Sequence, residues 1–141
     1  MKGFSYPPGG PPADLLVEGH GATLNEAFEQ VALAMYNAIT PLEGISERET
    51  FKIEVDGSDM MSLLFNFLDE LLFQEDLNGL VTRRLEVKVD PIRCKACAVC
   101  FGEHFSQKTH IAKILIKAVT YHLMEIKQIE DGWRIQLVFD I

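Results

Sequence analysis

One helical segment constrains the fold of this sequence most, because it is apolar around most of its circumference. Its large apolar residues recur at three- and four-residue spacing, typical of a helix: Met60, Leu63, Leu64, Phe67, Leu68, Leu71 and Leu72. Only a narrow polar stripe remains, which consists of Ser62, Asn66, Asp69 and Glu70. Ser58 or Asp59 is the expected N-cap of this helix, because either side chain can accept from a free amide of the first turn. Other elements must cover such a helix on most sides, so we expect it near the centre of the molecule.

A second helix is marked by the chemistry of its first turn. Thr23 and Glu26 have the spacing of a capping box, in which the Thr hydroxyl accepts from a free amide and the Glu side chain reaches back. Apolar residues then follow at helical spacing: Leu24, Phe28, Val31, Met35 and Ile39. Pro41 and Gly44 predict where this helix ends.

The remaining apolar residues mostly alternate with polar ones, which predicts strands. The predicted strands cover residues 14–20, 51–55, 84–90, 94–105, about 116–126, and 133–139. Asp131-Gly132 is a hairpin signal between the last two. The order strand, helix, strand, helix and then four strands predicts an α+β fold, with two helices packed on one face of a largely antiparallel sheet.

A length of 141 residues is typical of one domain. We expect a flexible Pro/Gly-rich lead-in over residues 1–12 and a single domain over residues 13–141. No apolar run approaches the roughly 20 residues of a membrane span, and the first residues lack the apolar run of a signal peptide. Three cysteines are an odd number, which favours free thiols in a reducing compartment. We therefore expect a cytoplasmic protein without membrane contact.

The charge is unevenly distributed along the chain. Residues 1–79 contain three Lys/Arg against fourteen Asp/Glu, a net charge of −11, whereas residues 80–141 contain ten against seven, a net charge of +3. Proteins grip phosphates mainly through Lys and Arg, so we expect no strong direct nucleic-acid binding. The acidic half is instead suited to steer the protein toward a basic partner.

The cysteines are spaced as Cys94-x-x-Cys97-x-x-Cys100, and His104 could complete a Cys3His set for zinc or an iron–sulfur cluster. In an extended strand, however, Cys94 and Cys100 face one way and Cys97 faces the other. We therefore predict core thiols rather than metal ligands, because free Cys is among the most buried residue types.

The two ends of the predicted domain carry acids. If the last strand pairs antiparallel with the first, Asp14 meets Asp140 and the Ile141 main-chain carboxylate. Three acidic groups at one point would repel each other, and oxygen-only ligands favour a hard cation. The plain alternative is that these acids are simply solvated, as acids near chain ends usually are.

At these residues the chain resembles the archease family, from about Ala13 to Ile141. The features appear in the family's order: Ala13-Asp14, Leu24-x-Glu26-Ala27-Phe28, Ala32-x-Ala34-Met35, Ser62-Leu63-Leu64-x-x-x-Leu68-Asp69-Glu70, Gly102-Glu103, Lys117-Ala118-Val119-Thr120-Tyr121-His122 and Phe139-Asp140-Ile141. The segment 117–122 and the Asp-Ile ending are the most specific. Pro11-Pro12 stand where the family has His-Thr.

The resemblance implies a metal-binding accessory protein, not an enzyme, that activates an RtcB-type tRNA-splicing RNA ligase by promoting its guanylylation and turnover. It implies that Asp14, Asp140 and Ile141 are the metal ligands. The cation expected at this site is divalent and hard, with Ca²⁺ ahead of Mg²⁺.

Alternative functions stay open at this point. A general protein-binding or chaperone-like module is one. Separately from that choice, the paired acids Asp69-Glu70 are either a contact surface for a basic partner or a solvated stripe. A metal-dependent hydrolase that uses Asp14, Glu103 and His104 is another, although no nucleophile–base signature accompanies these residues.

Overall fold

The computed structural model describes residues 2–10 and 14–141. Pro11, Pro12 and Ala13 lie outside the described residues, so the Pro-Pro dipeptide and the first residue of the Ala13-Asp14 motif are not placed. The elements in chain order are β1 (Gly3–Ser5), β2 (Asp14–Gly21), α1 (Leu24–Ile39), a 3₁₀ turn (Leu42–Gly44), β3 (Glu49–Asp56), α2 (Met60–Asn78), β4 (Leu80–Asp90), β5 (Lys95–His104), β6 (Ala118–Val119), β7 (Glu125–Ile129) and β8 (Gly132–Asp140).

The α+β class with two helices and antiparallel strands is confirmed, but the strands form two sheets rather than one. The larger sheet has the order β1-β2-β8-β6, and β7 also pairs with β8; the smaller sheet has the order β3-β5-β4. The smaller sheet cannot grow past β4, because α1 side chains occupy its edge. Val87 N–H donates to Glu29 at 3.1 Å and Val89 N–H donates to Asn25 at 2.8 Å, which blocks further strand pairing there.

Both helices begin where the sequence predicts. In α1 the Thr23 hydroxyl accepts from the Glu26 amide at 3.1 Å, and the Glu26 carboxylate accepts from the Ala22 amide at 2.8 Å. In α2 the Asp59 side chain accepts from the Ser62 amide at 2.8 Å. This helix ends at Gly79, whose φ of 70° is the left-handed conformation that glycine adopts without strain.

The core lies between the helices and the sheets. One face of α2 is buried, namely Leu63, Leu64, Phe67, Leu68, Leu71 and Leu72. The helix is less enclosed than predicted, because Phe73 is 52% exposed and Leu77 is 63% exposed. Among the described residues, no helix is long and apolar enough to span a bilayer.

The expected flexible lead-in over residues 1–12 is wrong at Gly3–Ser5, which pair with β2 as the edge strand β1. Strand pairing requires only extended backbone, so this segment needs no alternating pattern to form it. The Tyr6 hydroxyl, next in the chain, donates to the Ala34 carbonyl of α1 at 2.8 Å and fastens the segment to the domain.

The single strand predicted at residues 116–126 is also wrong, because it is split into β6 and β7. The interruption is local: the Thr120 hydroxyl donates to the Val138 carbonyl at 2.6 Å, and Leu123 has a φ of 54°. The predicted hairpin between β7 and β8 is confirmed. Its turn residues are Glu130-Asp131, because Gly132 already pairs with Ile129.

Candidate functional site

The two ends of the domain meet in the larger sheet. The antiparallel ladder between β2 and β8 runs from the pair Gly21 and Trp133 to the pair Asp14 and Asp140. The sequence-based expectation that the first predicted strand pairs with the last is therefore confirmed. The ladder ends with a carboxylic acid on each strand.

Asp14 and Asp140 share one face of the sheet, because directly opposed residues project to the same side. Their Cβ atoms are about 4.5–5.5 Å apart in such a pair, and like charges in these positions destabilise a sheet. Asp14 is half-buried and Asp140 is exposed. Among the residues that the structure describes, no ion pair neutralises either carboxylate. A cation at this edge would remove the repulsion.

The end of β8 is held from both sides. Ala118 of β6 pairs with Asp140 opposite the β2 side, and the Lys117 amide donates to the Asp140 carbonyl at 2.8 Å. Phe139 is fully buried, and Ile141 packs against the core. The residues of segment 117–122 thus act through backbone pairing that fixes where the chain end lies.

The donor set of this edge suits a hard cation. Carboxylate oxygens such as those of Asp14 and Asp140 are the ligands that Ca²⁺ and Mg²⁺ prefer over zinc, and the main chain of Ile141, the residue after Asp140, would add a third donor at the same end of β8. The described part of the chain contains no group of three or more His, Cys, Asp or Glu side chains able to hold a metal ion. Two side chains and one main-chain carboxylate leave room for several further oxygens, which water or a partner must supply.

The cysteines do not form a metal site. Cys97 is exposed and Cys100 is buried, on opposite faces of β5, while Cys94 precedes the strand with a φ of 55°. The prediction of core thiols is correct for Cys100 and wrong for Cys97, which faces solvent on the outer face of the smaller sheet. Burial raises the pKa of the Cys100 thiol to about 12, so it stays protonated.

Sequence reasoning missed a buried acid–histidine pair. Glu103 accepts from the Ser46 amide at 2.7 Å and contacts His110 Nε2 at 2.8 Å. The Ser46 amide holds the pKa of Glu103 below its usual value, burial opposes this effect, and His110 and Arg48 act with Ser46. His110 lies within a polar run, and no local pattern marks it as buried.

The histidine of this pair has an anchoring role. Its Nδ1 accepts from the Ser106 amide at 2.9 Å, so its Nε2 carries the proton that is donated to Glu103. Its ring stacks on Phe105 with 5.4 Å between centroids. These contacts satisfy both ring nitrogens and tie the loop after β5 to the core.

The residues of the hydrolase alternative are not brought together. Glu103 and His104 are consecutive in β5, so their side chains project to opposite faces. Glu103 is buried, whereas His104 is exposed and contacts Glu49 at 2.7 Å. The structure gives these two side chains no common site with Asp14.

Comparison with known proteins gives a consistent result over nearly the whole chain. A model of the archease protein family matches residues 9–141. "Protein archease" of Pyrococcus abyssi is 42% identical over 132 residues, which cover 92% of this chain and 93% of the relative. "Protein archease" of Pyrococcus furiosus is 43% identical with the same coverage, and "Protein archease-like" of Drosophila melanogaster is 42% identical over 82% of this chain and 76% of the relative.

The fold is similar to a solved structure as well. The solution structure of protein 1598 of Methanobacterium thermoautotrophicum superposes with a TM-score of 0.85 and 30% identity, and the match covers 100% of each chain.

Proposed function

This chain belongs to the archease family, and from that premise we propose that it is a metal-binding accessory protein for an RtcB-type tRNA-splicing RNA ligase. It promotes guanylylation and turnover of the ligase and catalyses no reaction itself. The observation that supports the metal part is the direct pairing of Asp14 with Asp140 at the end of the β2–β8 ladder.

In this proposal Asp14, Asp140 and the Ile141 carboxylate bind one divalent hard cation, Ca²⁺ in preference to Mg²⁺. When bound, the cation would supply positive charge at this edge, and its remaining coordination positions would bind oxygen atoms of water or of a partner. The chain's own residues set where it lies: β2 and β8 oppose the two side chains, and the Lys117 amide fixes the Asp140 backbone.

The charge distribution supports a protein partner rather than RNA as the direct ligand. The net charge of −11 over residues 1–79 repels phosphates and attracts a basic surface. An RNA ligase must hold phosphates with Lys and Arg, so it offers such a surface. The three free cysteines suit the reducing cytoplasm, where we place this function.

A ligation assay with the purified cognate ligase tests the proposal. Ligated RNA per ligase molecule and the guanylylated fraction of the ligase are measured with and without this protein, in Ca²⁺, in Mg²⁺ and in chelator. We expect stimulation with a divalent cation, and its loss in chelator and in the Asp14→Asn and Asp140→Asn variants. Glu54→Gln, an exposed acid on the smaller sheet, is the matched control and keeps full stimulation.

The possible failures separate the two parts of the proposal. Absence of stimulation by the unmodified protein contradicts the role as a ligase activator. Full stimulation by the double variant Asp14→Asn/Asp140→Asn contradicts the metal part alone.

A chaperone-like binding module is the second candidate, and exposed apolar side chains such as Phe73 and Leu77 favour it. It predicts that this protein suppresses thermal aggregation of unrelated proteins as well as that of the ligase. Light scattering of unrelated client proteins at equal concentrations distinguishes the two, because a dedicated ligase activator protects none of them.

A further inference from the structure

A groove lined by both apolar and charged residues lies between the C-terminal half of α2 and segment 111–117. Its part nearest the end of β8 has a volume of about 610 Å³ and is lined by Asp69, Glu70, Leu72, Phe73, Asp76, Leu115, Ile116 and Lys117. A second part continues past Leu115 and is lined by residues that include Ile39, Glu75 and Phe105. Leu115 and Ile116 line both parts.

The exposure of Leu115 is imposed by the fold. Segment 111–117 is held in its middle and at its C-terminal end, because the Ile114 amide donates to the Ala38 carbonyl at 3.0 Å and the Lys117 amide donates to the Asp140 carbonyl at 2.8 Å. Ile116 is buried and Ile114 packs against the core. In extended backbone, alternate side chains face opposite ways, so Leu115 projects outward and is 71% exposed.

The helix side of the groove combines apolar and acidic residues. Phe73 lines the groove and is 52% exposed. Leu77, four residues further along the same face of α2, lies just beyond the groove lining and is 63% exposed. Asp69 and Asp76 lie about one helical turn before and after Phe73, so carboxylates flank the apolar residues. Contiguous exposed apolar surface with a polar rim is typical of protein interaction sites.

The rim carries more negative than positive charge. Asp69, Glu70, Glu75 and Asp76 line the two parts of the groove, against Lys113 and Lys117. Lys113 is turned toward α1, where its Nζ donates to the Asn37 carbonyl at 3.2 Å. Partial burial, and to a smaller extent the charge of the neighbouring Asp76, raise the pKa of Glu75.

We propose that this groove is the docking surface for the RNA ligase, and that it receives a segment with an apolar side chain flanked by Lys or Arg. The inference rests on the proposed function. Charge complementarity supports it, because the basic surface of an RNA-binding enzyme matches the acidic rim. Continuity supports it as well, because Lys117 lines the groove and its amide binds Asp140, so a docked ligase lies beside the paired carboxylates.

Binding of the purified cognate ligase to variants of this protein tests the inference. Dissociation constants and the concentration for half-maximal stimulation of ligation are measured for Phe73→Ser/Leu115→Ser and for Leu77→Ser. We expect the double variant to raise both values at least tenfold, with maximal stimulation restored at saturating concentration. Asp69→Asn/Asp76→Asn should raise the dissociation constant and the half-maximal concentration by a smaller factor. Both values should also depend less on salt concentration in this variant.

Ile92→Ser is the matched control, because Ile92 is 95% exposed in the turn between β4 and β5. This variant should bind as the unmodified protein does, and circular dichroism checks that every variant is folded. An unchanged dissociation constant for both Phe73→Ser/Leu115→Ser and Leu77→Ser overturns the docking surface while the proposed function stands. Failure of the unmodified protein to bind or stimulate the ligase overturns the proposed function, and the inference with it.

The groove could instead receive a second copy of this chain. Sedimentation of the protein alone tests this occupant. A dimer of the unmodified protein that is lost in Phe73→Ser/Leu115→Ser overturns the ligase assignment, and a monomer at all concentrations supports it.

Discussion

Asp14 and Asp140 are direct cross-strand partners at the end of the β2–β8 ladder, so two carboxylates oppose each other with no cationic side chain paired to them in the described residues. This relationship predicts that Asp140→Asn changes the stability of the fold in opposite directions with and without a bound cation. In chelator, Asp140→Asn should stabilise the fold by about 0.5 kcal/mol, because like charges opposed in a sheet repel. At a Ca²⁺ concentration 100-fold above Kd, only the unmodified protein should gain about 2.7 kcal/mol.

Thermal unfolding followed by fluorescence, in chelator and in Ca²⁺, measures both effects. The order of the two melting temperatures should reverse between the two conditions, whereas Glu54→Gln follows the unmodified protein in each. An equal response of Asp140→Asn to Ca²⁺ would exclude this carboxylate as a ligand.

Glu103 should contribute stability that depends on pH. Its pKa is lowered in the folded state from the usual 4.5, so the contribution is present above that value and is lost as the pH falls below it. Glu103→Gln should lower the free energy of unfolding by about 2 kcal/mol at pH 7, because buried donors lose a charged acceptor. The difference between the variant and the unmodified protein should shrink below pH 4.5.

Urea unfolding between pH 3 and pH 7 measures the effect of Glu103→Gln. Glu49→Gln is the control, because Glu49 pairs with His104 at the surface and such pairs contribute about 1 kcal/mol or less. If Glu103→Gln lowers the free energy of unfolding by the same amount at every pH, the Glu103 charge does not have the role assigned to it.

The cysteines should differ sharply in reactivity. Cys97 is exposed, whereas Cys100 is buried and its pKa is raised to about 12. Because the thiolate is the reactive form, Ellman's reagent should modify Cys100 at least about a hundredfold more slowly than Cys97 in the folded protein. Cys97→Ser should remove the fast phase of the reaction, and a fast phase that persists at full amplitude would contradict the placement of these side chains.

Gly102 should tolerate no side chain. A Cβ at this position would overlap the Val81 carbonyl oxygen of the neighbouring strand, and backbone atoms cannot move aside cheaply. Gly102→Ala should therefore destabilise the fold by about 3 kcal/mol or more. Gly44→Ala is the matched control, because nothing lies within 4 Å of the added atom; equal unfolding midpoints in urea for the two variants would refute the prediction.

The sequence predicted most of the fold where local chemistry decides the structure. Thr23 and Asp59 mark helix starts because their side chains bind free amides of the first turn, and this signal needs no tertiary context. The division into two sheets was not predictable in this way. One edge of the smaller sheet, at β4, is covered by Glu29 and Asn25, which contact it across 58 and 64 residues of sequence.

The candidate site shows the same division between local and non-local information. The opposition of Asp14 and Asp140 follows from one assumption, that the first predicted strand pairs with the last, and the structure confirms it. The groove at Leu115 could not be predicted from the sequence. Segment 111–117 has no regular secondary structure, and its path is set by contacts with Ala38 and Asp140, which are distant in sequence. Glu103 could not be matched to His110 for the same reason.

The position of β8 has a consequence for synthesis on the ribosome. It is the last strand in chain order, yet it carries β2 on one side and both β6 and β7 on the other. About 110 residues are translated between β2 and its partner β8. Pairing the two strands therefore closes a long loop, which carries an entropic cost. The Asp14–Asp140 pair therefore cannot form before β8 has been synthesised, and a product cut short before β8 lacks this pair of carboxylates.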